Sequence, residues 1–436
     1  MIKLKKNKKW NLAKRIIPGG NMLISKRSEF ILPEFWPAYY NKANDCYVWD
    51  LDKNKYLDMF FSPGTNILGY CNKQIDNKII KAVKKSNMSS LNSYKEVLLA
   101  KKLVSYHKWS DMVKFARTGG EANAVAIRIA RAASKNKKNI AFCGYHGWHD
   151  WYMSSALNKK ENLKTHLIKG IDSSGLPEKL KNTAFPFEYN NIEMLENLVK
   201  KKNIGIIKME VQRNFNSENN FLQKVRNLCT KKNIILIFDE CTSGFRESLG
   251  GIHLNHKVNP DMMILGKALG NGYPITAVLG KRKFMKCANK TFISSTFWTE
   301  NLGYVAALET LKYMEKNKTY LKLKKTGKHI KFQWKKIALK HNLEIKVTGI
   351  DAIPSFNFIG DFNQKAITYI TQEMLKNNIL ATNVIYISIA HKKNYVNRYL
   401  KQFDVILGRI SKLKNKNNLS KLIKGKERQS QLQRYN

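Results

Sequence analysis

A chain of 436 residues, 43% of them hydrophobic, can bury a sizeable core and form more than one domain. No apolar run approaches the roughly twenty residues of a membrane helix, and no signal-peptide core follows the basic N-terminus, so a cytoplasmic protein with no membrane association is expected. The 78 Lys and Arg outweigh the 32 Asp and Glu for a net charge of +46, but the lysines are spread among asparagines, as in KKNKKWN and LKNKNNLSK. That is the pattern of a solvated surface, and no specific nucleic-acid site is expected. Six scattered cysteines without a C-x-x-C pair argue against a zinc or redox motif, and no metal is expected.

In chain order, a basic, weakly helical start ends at Pro18-Gly19-Gly20, and YVWDLDKNKYLDMF reads as two short strands about a turn at Asp52-Lys53-Asn54. Amphipathic helices are expected near 73–86 and from Glu96 to His107. Met112 to Ala116 reads as a strand breaking at Arg117-Thr118-Gly119-Gly120 into the helix EANAVAIRIARAAS. A strand, a small-residue turn and a helix in succession leave backbone N–H groups at a helix N-terminus, a natural phosphate site or equally an ordinary tight βα turn. The next strand, Asn139 to Cys143, ends in Gly144-Tyr145-His146-Gly147-Trp148-His149. Tyr145 or His146 there can stack on a flat ring or simply fill the core.

Residues 155–190 show little periodicity and are expected to form a long loop. A helix near 191–202, the strand IGIIKMEV ending in Glu210 and a helix near 218–231 follow. Then comes IILIFDECTSGFR, a buried-strand run delivering Asp239 and Glu240 at its carboxyl end, and a second run, Met262 to Leu265, ending in Gly266 and Lys267. In open α/β sheets ligands bind at that edge. An aspartate and a lysine at neighbouring strand ends suit pyridoxal phosphate, which needs an amine for its Schiff base and an acid to keep its pyridine nitrogen protonated. The alternative is a loop-capping acid and a surface lysine. ITAVLG reads as a further strand, Ser294 to Trp298 as the approach to a long helix, and residues from 322 as helix, short strands (345–360), helix (365–378) and a last helix near 392–412.

The motifs TGGEANAVAIRIAR, GYHGWHDWY, IIKMEV, LIFDECTSGFR, DMMILGKALGNGYP and STFWTENLGYVAALETL, in this order and spacing, resemble the class III pyridoxal-phosphate-dependent aminotransferases, nearest to glutamate-1-semialdehyde 2,1-aminomutase and its aminotransferase relatives. The resemblance covers about residues 15–412. It implies an α/β fold, fold type I, with a mostly parallel doubly wound sheet in a large domain and a smaller α+β domain. The expected division is an arm and hairpin over 1–60 packing with the small domain, a large cofactor-binding domain over 61–321, the small domain over 322–412, and a basic tail over 413–436 without a convincing core face and disordered at its end.

The resemblance further implies pyridoxal 5'-phosphate as cofactor, a homodimer with shared active sites, and a small-molecule amino donor and carbonyl acceptor. Carried onto matching positions, Lys267 is the Schiff-base lysine and proton shuttle, Asp239 pairs with the pyridine nitrogen, and Glu210 is the acid of the family's Glu-Pro, followed here by Val211. Thr118, Gly119 and Gly120 form the phosphate loop where the family has Ser-Gly-Thr; Tyr145 stacks on the ring beside His146; Thr296 of a second subunit completes the phosphate site. Arg213 and Arg246 are candidates for gripping a substrate carboxylate, or for surface or helix-end pairing. The segment after Tyr-His-Gly lacks the Gly-Ser-Gly element expected of the mutase, and STFWTE departs from the mutase's Gly-Thr-x-Ser-Gly-Asn-Pro. Intermolecular amino transfer is therefore expected, with the intramolecular mutase reaction as the alternative, and a non-catalytic nucleic-acid-binding protein on the same fold less so.

Overall fold

The computed structural model describes residues 7–134, 136–158, 173–413 and 418–429. Among them the chain divides into two compact units, one of residues up to 72 with those from 322 onward, the other of residues 73–321.

The first unit opens with β1 (Tyr40–Asn44), β2 (Tyr47–Asp50) and β3 (Lys55–Asp58). β2 and β3 are the expected hairpin, Tyr47 opposite Leu57 and Trp49 opposite Lys55. Asp50 closes its turn by accepting the amides of Asp52 and Asn54, both at 2.9 Å. β1 adds antiparallel to β2. Mostly exposed and polar, it is an edge strand that needs no apolar face, so its residues carry no strand pattern.

The second unit is built on a seven-stranded sheet of β4 (Met112–Ala116), β5 (Asn139–Cys143), β6 (Ala184–Pro186), β7 (Ile204–Glu210), β8 (Ile235–Glu240), β9 (Met262–Leu265) and β10 (Thr276–Gly280), in the order β4-β10-β9-β8-β7-β5-β6. β10 runs antiparallel to β4 and β9, and the other pairings are parallel. Helices Gly119–Ala133, Ile192–Lys201 and Phe221–Lys232 make the crossovers from β4 to β5, β6 to β7 and β7 to β8. The expected loop over 155–190 needs correction, because β6 lies inside it. Three residues on the sheet edge, ending in a proline that cannot donate to a ladder, are too short for a period to register. Residues 159–172 of that expectation lie outside the described residues.

β7 and β8 are buried along their whole length, as strands sheltered on both faces must be. Their register sets Ile206 opposite Ile235, Lys208 opposite Ile237 and Glu210 opposite Asp239. Since side chains alternate in direction, these six share one face. Ile206, Ile235 and Ile237 join Val125, Ala126 and Ile129 of the helix Gly119–Ala133 in one core cluster, so this is the face that helix covers.

The first unit resumes with the helix Thr319–Lys340, then β11 (Ile345–Thr348) and β12 (Ser355–Phe358), an antiparallel pair, the helix Asn363–Lys376, β13 (Ile379–Leu380) and the helix Lys393–Ser411. β13 pairs parallel with β3. The Ser388 hydroxyl donates to the carbonyls of Asn66 and Ile67 at 3.1 and 3.0 Å, which ties residues near 66 to this unit, past the boundary at 60 expected from sequence. The expectation of a tail without a core face is corrected for residues 418–429. Leu419 is fully buried, and the buried Arg428 donates to Gln364 Oε1 at 2.9 Å and Asn383 Oδ1 at 3.1 Å. The expected disorder of the last residues lies outside those described.

Candidate active site

Asp239 and Glu240, adjacent on β8, point to opposite faces and meet different fates. Glu240 accepts the amides of Ile252 and His253, the Ser243 hydroxyl and His253 Nδ1, all within 2.9 Å, and so fastens the turn that follows the strand. Asp239 stands on the face covered by the helix Gly119–Ala133. Its Oδ1 accepts the Cys241 amide at 3.0 Å, Oδ2 lies 2.8 Å from His146 Nδ1, and the Lys208 ammonium is 3.6 Å from the same oxygen. Burial alone would raise this carboxyl, but Lys208, His146 and the Cys241 amide outweigh it and hold Asp239 well below the usual carboxylate range. It is ionised at any physiological pH. Both His146 nitrogens face acceptors, Asp239 and the Cys143 carbonyl at 3.1 Å, an arrangement that favours imidazolium. Burial first, and the Lys208 charge second, act against it and hold the ring below its ordinary pKa.

Lys267 follows β9, the parallel neighbour of β8, in a register that sets Ile264 opposite Asp239. It begins a 3₁₀ turn with φ of 40°, an uncommon left-handed value for a lysine, and its Nζ donates to Thr242 Oγ1 at 2.6 Å. Gly266 before it has no room for a side chain: a Cβ would stand 2.7 Å from Cys241 Sγ and 3.0 Å from Thr276 Cγ2. The Cys241 thiol, pushed up to about 11 by burial against the opposing charge of Lys267, is a protonated neighbour and not a nucleophile.

At the end of β4, Thr118 caps the helix Gly119–Ala133 in a reciprocal box with Glu121: the Glu121 amide donates to the Thr118 hydroxyl at 3.3 Å, and the Thr118 amide to Glu121 Oε2 at 2.8 Å. With Thr118 so engaged, the first two helical amides, those of Gly119 and Gly120, remain for an anion. Small residues keep this turn open. A Cβ on Gly120 would meet His149 Cε1 at 2.9 Å, and one on Gly147, whose φ is 99°, would meet Gly120 Cα at 3.1 Å. Glu210 Oε2 accepts the Tyr145 amide at 3.1 Å and so fixes the loop that carries Tyr145 and His146.

The fold thus gathers Thr118, Gly119, Gly120, Tyr145, His146, Glu210, Asp239 and Lys267 at the ends of β4, β5, β7, β8 and β9. Of the other residues singled out in the sequence, Arg246 is fully buried with Nε donating to the Thr242 carbonyl at 2.6 Å, Arg213 is buried three residues beyond β7, and Thr296 opens a 3₁₀ turn and is exposed. Lys208 joins the gathered residues from inside β7, where the sequence alone does not set it apart. Its only signal there is a lysine inside an apolar strand, two residues before Glu210 and therefore on the same face.

The aminotransferase class-III family model matches residues 33–394. The chain belongs to the class III aminotransferases. It is 31% identical over 381 residues to the 3-aminobutyryl-CoA aminotransferase of Cloacimonas acidaminovorans (strain Evry), covering 84% of this chain and 87% of that protein. It is likewise 31% identical over 420 residues to the glutamate-1-semialdehyde 2,1-aminomutase of Nitrosopumilus maritimus (strain SCM1), covering 91% and 97%. Among solved structures, the internal aldimine form of the Sphingopyxis sp. MTA144 FumI protein superposes with a TM-score of 0.83 at 24% identity over 95% of this chain and 99% of that one, a likeness of fold.

The class III enzyme depends on pyridoxal phosphate, and the gathered residues fit that cofactor. Two helix-end amides beside a glycine-lined turn suit its phosphate, an ionised buried carboxylate suits a protonated ring nitrogen, and a lysine amine suits its aldehyde. Among the described residues no helix is long and apolar enough to cross a membrane, and no group of three or more His, Cys, Asp and Glu could hold a metal ion.

Proposed function

We propose that the enzyme moves an amino group from an amino donor to a separate aldehyde or keto acceptor, with Lys267 forming the Schiff base, and works as a cytoplasmic homodimer. The observation that carries this is the meeting of Asp239, at the end of β8, with Lys267, in the turn just after the neighbouring parallel strand β9, the lysine amine oriented by Thr242 at 2.6 Å and the carboxylate held ionised.

When bound, pyridoxal phosphate supplies an electron sink for the α-carbon of the amino donor. Lys267 would hold the cofactor through its amine, and the same amine, when free, would serve as the base that moves the α-proton of the donor. Asp239 accepts a hydrogen bond from the ring nitrogen and keeps it protonated. The Gly119 and Gly120 amides bind the phosphate, with Thr118 shaping their turn and Thr296 of a second copy closing it. Tyr145 would stack on the ring with His146 adjacent, Glu210 holds the Tyr145 backbone, and Arg213 and Arg246 are the candidate cations for a substrate carboxylate. The mutase reading keeps a specific support, the several relatives named glutamate-1-semialdehyde 2,1-aminomutase. Transfer between molecules is preferred on the sequence after Tyr-His-Gly and on STFWTE.

Two measurements decide. Borohydride treatment of the loaded protein followed by peptide mass mapping should leave the cofactor on Lys267, and Lys267→Ala should retain none covalently; a label elsewhere overturns the assignment. An amino donor such as glutamate, added without acceptor, should yield its keto acid. Conversion of glutamate-1-semialdehyde with no donor, and no keto acid from any donor, would establish the mutase instead.

A further inference from the structure

Lys208 is a fully buried lysine in the middle of the central strand β7. The ion pair with Asp239 Oδ2 at 3.6 Å is long, and Nζ makes no hydrogen bond within the described residues. The charged and titratable groups that face it are Asp239 and Cys241 from β8 and its turn, Glu210 from its own strand, and His146 from the loop after β5. A buried ammonium with so little to hold it is costly unless a partner charge compensates. Among the described residues Asp239 is the one carboxylate that makes an ion pair with it, and it is also the carboxylate to which the proposed function assigns the cofactor's ring nitrogen.

Two cations cannot both be balanced by one buried carboxylate. We propose that Lys208 is a positioning residue that neutralises Asp239 while the cofactor is away and releases its proton to solvent when a protonated ring nitrogen takes its place as the carboxylate's cation. The proton balance is explicit: where the ring nitrogen arrives already protonated, Lys208 gives one proton to solvent, and the group made of Lys208, Asp239 and the ring nitrogen keeps its charge. Desolvation already works against the charged form of Lys208 and so eases the loss of its proton. Cofactor uptake then becomes coupled to pH, tightening as pH rises because a proton is a product of binding. This inference rests on Asp239 being the ring nitrogen's partner.

The test is calorimetric titration of the cofactor-free protein with pyridoxal 5'-phosphate in buffers of different ionisation enthalpy, which counts protons released on binding. The wild type should release about one proton more than Lys208→Met, and its affinity should climb with pH by up to about tenfold per unit relative to that variant. Lys208→Met should bind the cofactor about tenfold or more tightly at neutral pH, since no cation competes for Asp239. Lys208→Arg, whose guanidinium keeps its proton, should show neither the extra release nor tight binding. Should Lys208→Met not fold, the arginine variant decides alone. Proton counts equal to wild type in the folded Lys208 variants overturn the proposal and pass the titration to His146. Asp239→Asn separates the two readings. If it binds the cofactor with wild-type affinity and proton count, Asp239 is not the ring's partner and the proposed function's assignment fails; if it weakens binding while the Lys208 variants leave the count unmoved, only the present inference fails.

Discussion

His146 Nδ1 lies 2.8 Å from Asp239 Oδ2, with both side chains almost wholly buried. The contact joins the loop after β5 to the end of β8, two strands that do not pair with each other but both pair with β7. The carboxylate is thereby oriented from the side while its other oxygen is held by the Cys241 amide. Asp239→Asn keeps the shape but removes the charge that would keep a pyridine nitrogen protonated. Turnover at saturating cofactor should fall on the order of a hundredfold or more. Steady-state rates at a fixed, measured cofactor content provide the check; an unchanged rate would remove the electron-sink role from Asp239.

Gly120 stands where the resemblance to the family implies a threonine, and its surroundings leave no room for one. A Cβ there would meet His149 Cε1 at 2.9 Å, His149 Nδ1 at 3.1 Å and Trp148 Nε1 at 3.4 Å. Gly120→Thr therefore should not restore the family's phosphate contact. It should force His149 aside at about 1–3 kcal/mol and weaken binding of pyridoxal 5'-phosphate by roughly tenfold. Equilibrium dialysis of the variant measures this directly, and tighter binding would show that the cradle yields.

Why some of this was readable and some not follows from burial and direction. β7 and β8 were legible because strands covered on both faces read as unbroken apolar runs, and the helix at Gly119 because its N-terminal chemistry is local. β1 and β6 left no pattern because an exposed edge strand and a three-residue strand need none. The antiparallel course of β10 was also hidden, since an apolar run such as ITAVLG carries no direction. At the site, Lys267 and Asp239 stood out as polar residues at strand ends. Lys208 did not, because one more lysine in a chain with 78 Lys and Arg looks like composition until the register of β7 sets it beside Asp239.

Leu419 is fully buried although it follows a run of lysines and asparagines, and Ile423 near it is also buried. The short helix Leu419–Leu422 packs against the helix Asn363–Lys376, where Gln372 Nε2 donates to the Leu422 carbonyl at 3.0 Å. Leu419→Ala should destabilise by about 2–4 kcal/mol if the tail is part of the core, and by a few tenths if it only rests on the surface. Urea unfolding followed by a probe in this unit distinguishes the two.

His391 sets an acid limit on stability. Its Nδ1 accepts the Ser388 amide at 3.1 Å, so Nε2 carries the proton and donates to the Asp58 carbonyl at 3.0 Å. Burial, opposed by that bond and by Asp45, pushes its pKa down to about 4 from an ordinary 6.5. Between those values the unfolded chain binds more protons than the folded one, so the contribution is complete above about pH 6.5 and is lost as pH falls toward 4. Its size is about 3 kcal/mol, one pKa unit being worth about 1.4. His391→Gln offers a donor and an acceptor but does not titrate. Denaturation midpoints of the wild type should therefore drop more steeply than those of the variant from pH 6.5 to 4 and run parallel above pH 7. Equal slopes across the acid range would mean that His391 is readily protonated in the folded protein.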